Sequence, residues 1–194
     1  MQVRKRDGTL EDLNIDKLHK VVMYACEGIA GVSASQVEIN SKIQFFDKID
    51  TEDIQETLIK SAADLISEEA PNYQYVAGRL INYHLRKMVY GQFEPPCLCD
   101  IVQDNIDEGF YDSEFTDLFT KDEINQLQSY IDHERDEVLT YAAMEQFRGK
   151  YLVQNRATGK IYETPQVAYM LISASLFSGY PKEERLKWVK DYYN

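Results

Sequence analysis

Apolar residues return at helical spacing along most of this chain, and that period does most to limit what the chain can fold into. Behind Asn14, the residues Ile15, Leu18, Val21, Val22, Ala25 and Ile29 recur every three or four positions, the mark of a helix with one apolar face. Asn14 reads as its N-cap, and Gly28 or Gly31 as its stop. A second helix is predicted from about Ser35, another serine N-cap, through Phe46, with Val37 and Ile43 among its apolar positions. A third opens in "DTEDIQETLIKSAADLI", where Asp50 or Thr51 caps and Ile54, Leu58, Ala62 and Leu65 form the stripe. Pro71 closes that region. A fourth helix, over about 72–90, presents Val76, Leu80 and Tyr83 and ends in the cationic "HLRKMVYG".

The period is different at two places. Residues 2–13, "QVRKRDGTLEDL", read as a hairpin in which Asp7-Gly8 supplies the positive φ angles of a two-residue type I′ turn. "KYLVQNRATGKIYET" has two short β-prone runs around Thr158-Gly159 and reads as a second hairpin. "GQFEPP", residues 91–96, joins a glycine to a proline pair that cannot continue a helix, so a domain boundary is placed there. Beyond it, Thr120 and Glu123 form a capping box whose helix is expected to reach about Phe147. Thr164-Pro165 opens an apolar helix through Phe177, Gly179 breaks it, and a last amphipathic segment carries Leu186 and Val189.

Composition narrows the function classes. With 194 residues and 44% hydrophobic content the chain can bury a sizeable core. No run approaches the 18 or so apolar residues of a membrane span, and no apolar segment follows the basic start, so a cytoplasmic protein is expected. Three cysteines, Cys26, Cys97 and Cys99, form no disulfide framework and no four-ligand zinc pattern. A formal charge of −12 argues against nucleic acid, whose binding rests on Lys and Arg neutralising phosphates.

The charge is uneven. Residues 98–137 hold 13 Asp and Glu against Lys121 and Arg135, a run read as a solvated face. Residues 1–20 hold five Lys and Arg against four acids. Screening over about 8 Å makes a small anion feel its neighbours rather than the total. The positive opening is therefore compatible with a polyphosphate.

No nucleophile motif, zinc-protease motif or glycine-rich phosphate loop occurs. A phosphate site can also be built from helix N-termini and cations. Lys17 follows Asn14 in a first helical turn, Thr51 starts another helix, and Lys87 lies one turn beyond His84 on a third. Each has a plainer reading: solvated lysines, a cap, a core-edge histidine. The pleat of a strand also sends Lys5 and Arg6 to opposite faces unless the turn distorts them.

"VRKRDGTLEDLNIDKLHKVV", "DTEDIQETLIKSAADLI" and "PNYQYVAGRLINYHLRKMVYGQFEPP" resemble the ATP-cone and following segment of the class I ribonucleotide reductase large subunit. "IDHERDEVLTYAAMEQFRGKYLVQNRATGKIYETPQVAYM" resembles the helical region that precedes its catalytic barrel. The resemblance implies a mainly α chain with small β elements. Residues 1–92 would be an ATP-cone, a small sheet capping a four-helix bundle, and residues 93–194 a helical domain ahead of a ten-stranded barrel. It implies ATP, and in many members dATP, as allosteric effector, with Mg2+ accompanying the nucleotide. It also implies partnership with the catalytic barrel, a second large subunit and a radical-generating small subunit. Carried over by position, the effector residues are Val3, Lys5, Arg6, Glu11, Asn14, Lys17, Thr51, Gln55, His84 and Lys87.

Two departures matter. Gln55 stands where many bacterial members carry a histidine implicated in the response to dATP. Glutamine cannot become cationic, so dATP shut-off is expected to be weak or absent. The three cysteines do not match the radical and redox cysteines of the barrel, so these residues alone are not expected to turn over ribonucleotides. The chain then reads as an N-terminal fragment, a truncated product or one piece of a split subunit of an oxidoreductase that makes deoxyribonucleotides for DNA synthesis. A free-standing ATP-cone sensor is the alternative, but a cone-bearing transcription regulator would need zinc-ribbon cysteine pairs. A cone that has become a scaffold without nucleotide is the third reading.

Overall fold

The computed structural model describes residues 1–42 and 45–194. Its architecture is mainly helical with one small sheet, as the sequence implies. Two compact units are present. The first comprises Met1–His84 with Glu137–Gln146, and the second Leu85–Asp136 with Phe147–Asn194.

In the first unit, β1 (Gln2–Arg4) and β2 (Leu10–Asp12) pair antiparallel, with Val3 opposite Glu11. Helix α1 (Ile15–Cys26) follows, capped by the Asn14 side chain, which accepts the Lys17 N–H at 3.0 Å. Then come α2 (Ala34–Lys42) and β3 (Ile49–Asp50), which pairs parallel to β1 with Val3 opposite Ile49. β1 is thus the central strand. β3 runs without a loop into α3 (Thr51–Ala63), and α4 (Tyr73–Tyr90) gives its first twelve residues to this unit. Val3, Val22, Ile49, Ile54, Leu58 and Leu80 are buried in its core, and each such side chain stabilises the fold by about 1.5–3 kcal/mol relative to exposure.

The second unit is built from α5 (Leu98–Asp107), α6 (Glu114–Leu118), α7 (Lys121–Gln128), α9 (Pro165–Leu176) and α10 (Lys182–Tyr193), while α8 (Tyr141–Gln146) belongs to the first unit. Leu98, Leu127, Val167, Met170 and Val189 anchor one apolar core. Val189 and Leu186, the apolar positions of the last amphipathic segment, pack into it. Glu123 completes the capping box by accepting the Thr120 N–H at 2.8 Å, and its other oxygen accepts buried Arg185 at 2.6 Å.

Several local expectations are corrected. The first turn is not type I′: Lys5 N–H donates to Thr9 O, Gly8 N–H donates to Lys5 O, and only Gly8 takes a positive φ, +82°. The Asp7 carboxylate accepts both the Thr9 N–H and hydroxyl, holding Asp7 in ordinary backbone space, so the loop has three residues. The second hairpin shrinks to one bridge, Gln154 with Ile161. Helix α2 begins one residue before Ser35, with the Ser33 carbonyl taking the Gln36 and Val37 N–H groups. It does not include Phe46, and Ile43 lies outside the described residues.

The long helix expected from Thr120 to Phe147 is broken. After α7 come a 3-10 helix (His133–Val138), α8 and a π-turn (Phe147–Tyr151). Asp132 accepts the Glu134 N–H, and Asp136 is fully buried, accepting Gln166 Nε2 at 2.8 Å and lying 3.7 Å from Arg86. A straight helix cannot satisfy those partners. At Thr164 the hydroxyl does not cap α9 but meets the Tyr90 hydroxyl at 3.1 Å. No helix among the described residues is long and apolar enough to cross a membrane.

Two outcomes are expected. A Cβ on Gly78 would lie 2.1 Å from the Leu139 carbonyl oxygen, so Gly78→Ala should lower stability by about 1–3 kcal/mol in urea denaturation. Burial, then the nearby Arg86 charge, hold the His133 imidazole down at about 4. Between the ordinary 6.5 and about 4 the unfolded chain takes up a proton that the folded chain refuses. The stability from neutral His133 is therefore complete above about pH 6.5 and falls as the pH drops toward 4. Urea midpoints at pH 7 and pH 4.5 should differ less in His133→Gln than in the parent.

Candidate functional site

The hairpin and the helix starts that follow it meet at a cavity of about 400 Å3 in the first unit. That volume lies in the range of about 300–1,000 Å3 typical of small-molecule sites. Val3 and Glu11 reach it from paired strand positions, Asn14 and Lys17 from the first turn of α1, and Thr51, Ile54 and Gln55 from the start of α3. Leu13, Leu18, Val21 and the rings of Tyr24 and Tyr83 make the walls largely apolar.

Lys17 is not the only cation there. Lys20, one turn further along α1, also lines the cavity. Lys5 is tied to Glu11 at 2.7 Å, and this contact, with further help from Lys17, pulls the Glu11 carboxyl below the ordinary range. The same pair raises the Lys5 ammonium. Arg6 Nε lies 2.9 Å from Glu52, next to Thr51. Burial pushes the Tyr83 phenol up, and the Arg6 charge offsets part of that rise. Among the described residues the buried Gln55 Oε1 has no hydrogen-bond partner. Such an acceptor costs about 1–3 kcal/mol until a donor is supplied.

Of the ten residues singled out from the sequence, Val3, Glu11, Asn14, Lys17, Thr51 and Gln55 line this cavity. Lys5 and Arg6 adjoin it through Glu11 and through Glu52 beside Thr51. His84 and Lys87 are not among its lining residues. His84 is buried in α4 with Nε2 3.5 Å from Glu56, and Lys87 lies in the last turn of α4, in the second unit. Thr51 is the first helical residue and Asp50 the N-cap, whose side chain faces Arg4 at 3.5 Å instead of capping. Lys20, Tyr24 and Tyr83 were not singled out. The signal was present in part, because Lys17, Lys20 and Tyr24 stand at i, i+3 and i+7 of one helix.

The cysteines serve locally. Cys97 Sγ caps α5 by accepting the Asp100 N–H, Cys99 lies 3.2 Å from Asn125, and burial pushes the Cys26 thiol up to about 11. Among the described residues no group of three or more His, Cys, Asp or Glu side chains is placed to hold a metal ion.

In the first unit a small sheet thus feeds two helix starts onto one polar-edged cavity. Residues 1–88 match the family model of the ATP cone domain, and residues 137–194 that of the ribonucleotide reductase all-alpha domain. The chain is similar over 99% of its length to ribonucleoside-diphosphate reductase 1 subunit alpha of Escherichia coli strain K12, at 54% identity. It is 53% identical over its whole length to the subunit alpha of Haemophilus influenzae, and 41% identical to that of Enterobacteria phage T4. It spans about a quarter of the length of these relatives. The chain thus matches an ATP cone domain followed by a ribonucleotide reductase all-alpha domain, and its similarity to these alpha subunits runs along its whole length.

Proposed function

We propose that the cavity binds the effector of a ribonucleoside-diphosphate reductase, ATP or dATP with Mg2+. In this reading residues 1–92 act as the regulatory part of an oxidoreductase subunit and residues 93–194 as the helical part next to its catalytic barrel. A second large subunit and a radical-generating small subunit would complete the enzyme.

One observation carries the reading: the starts of α1 and α3, with Lys17 and Lys20, line one cavity together with Tyr24, Tyr83 and several apolar side chains. Helix N-termini present unpaired N–H groups and partial positive charge, which suits phosphate, while lysines add full charge. Lys5 and Arg6 lie in carboxylate pairs that an incoming polyphosphate would compete for. Tyr24 and Tyr83 suit a purine face. The buried Gln55 oxygen suits a donor from ribose or the exocyclic amine. Being uncharged, Gln55 would add no electrostatic preference of its own. His84 would act indirectly, by packing α4 behind the Tyr83 wall.

Calorimetric titration of the 194-residue chain with Mg-ATP and with Mg-dATP tests the proposal. Saturable heat is expected for both, and Lys17→Ala should weaken binding by about tenfold, about 1.4 kcal/mol. The absence of saturable heat in the parent would leave a helical scaffold as the better reading.

A further inference from the structure

Tyr24 faces two ways. Its ring lines the cavity, 6.4 Å between centroids from the Tyr83 ring, while its hydroxyl donates to the Glu137 carboxylate. Glu137 belongs to the returning segment Glu137–Gln146 of the first unit, and it is the residue at which the all-alpha match begins. Its other carboxylate oxygen lies 3.1 Å from Arg79 Nε, which also donates to the Glu137 carbonyl at 3.1 Å. Arg79 Nη1 donates to the Glu27 carbonyl at 2.6 Å, at the end of α1. The Arg79 and Glu137 side chains are 17% and 22% exposed, so the pair is shielded from screening far more than a surface ion pair. Beside it, Gly78 lets the Leu139 carbonyl approach α4 as closely as backbone allows.

From this geometry we propose that the Tyr24–Glu137–Arg79 clasp transmits occupancy of the cavity to residues 137–146. The inference rests on the nucleotide reading of the cavity. A ligand packed on the Tyr24 ring fixes where its hydroxyl points, and hydrogen bonds weaken steeply with misalignment. The Glu137 carboxylate is held by Tyr24 and Arg79, so gaining or losing Tyr24 changes how firmly this segment is held. Arg79 grips both Glu137 and the end of α1, so the segment responds to the cavity and not to general loosening. A ligand shifts this equilibrium only through its differential contact with the two Tyr24 positions, and the segment must bias ligand affinity by the same factor.

Hydrogen exchange of the 194-residue chain, with and without saturating Mg-ATP, tests this in the parent, Arg79→Gln and Glu137→Gln. In the parent, ATP should slow exchange of the 137–146 amides by about tenfold, within the usual range of coupling. Neither Arg79 nor Glu137 lines the cavity, so both variants should still give saturable ATP heat. In each, the slowing should fall to about twofold or less, while slowing in the first turn of α1 persists. Parent-like slowing at 137–146 in both variants would overturn the clasp while leaving nucleotide binding intact. So would ATP binding in the parent without any change at 137–146. No saturable heat in the parent would overturn the nucleotide reading, and the clasp with it.

Discussion

β1 is paired on both sides, and the placement of the cavity follows from that. Val3 sits opposite Glu11 on one side and Ile49 on the other. Two residues after β2 comes the Asn14 cap of α1, and directly after β3 comes the first residue of α3. Buried Val3 and Ile49 fix the register, since a slip of one residue would turn their side chains to the opposite face. With the register fixed, two helix N-termini are delivered to one place by connections too short to wander. The lysines of α1 then add charge to a position that backbone geometry has already made favourable for an anion.

Elsewhere in the molecule buried polar groups do the positioning that strands do here. In the second unit Gln166 donates to Asp136 and accepts the Tyr193 hydroxyl at 2.7 Å, and Tyr193 accepts the Asp132 N–H. Arg86 donates to the His133 carbonyl at 3.0 Å and stacks 4.8 Å from the Phe93 ring centroid. Such a network holds α4, the 3-10 helix, α9 and α10 in one arrangement because removing any partner leaves a buried polar group unpaired. The same logic, at smaller scale, operates in the Tyr24, Glu137 and Arg79 cluster of the first unit.

How much of this was legible in the sequence depended on the range of the interactions. Most of the apolar stripes of α1, α3 and α4, the Asn14 cap, the Thr120 capping box and Pro165 at the first turn of α9 are local, and the structure has them, although Ile15 is exposed and Ile29 and Leu65 fall beyond the ends of α1 and α3. The Asp7 turn misled because the Asp7 side chain, not the backbone preference of Asp-Gly, chose the loop. The break after Gln128 was hidden because its cause, the burial of Asp136 against Gln166, lies 30 residues away. Lys17 and Thr51 were readable as helix-start residues, whereas Tyr83 joins the cavity only through the packing of α4. His84 carries a residue type that invites a ligand role, yet its position in α4 buries it against Glu56.

The central claim is that the sheet brings the starts of α1 and α3 together as a phosphate site. A crystal structure of this chain grown with Mg-ATP tests it most directly. The expected result is a triphosphate within hydrogen-bonding reach of Lys17 and the Thr51 end of α3, with the base against Tyr24 or Tyr83. A nucleotide seated on a surface that touches neither helix start would contradict it.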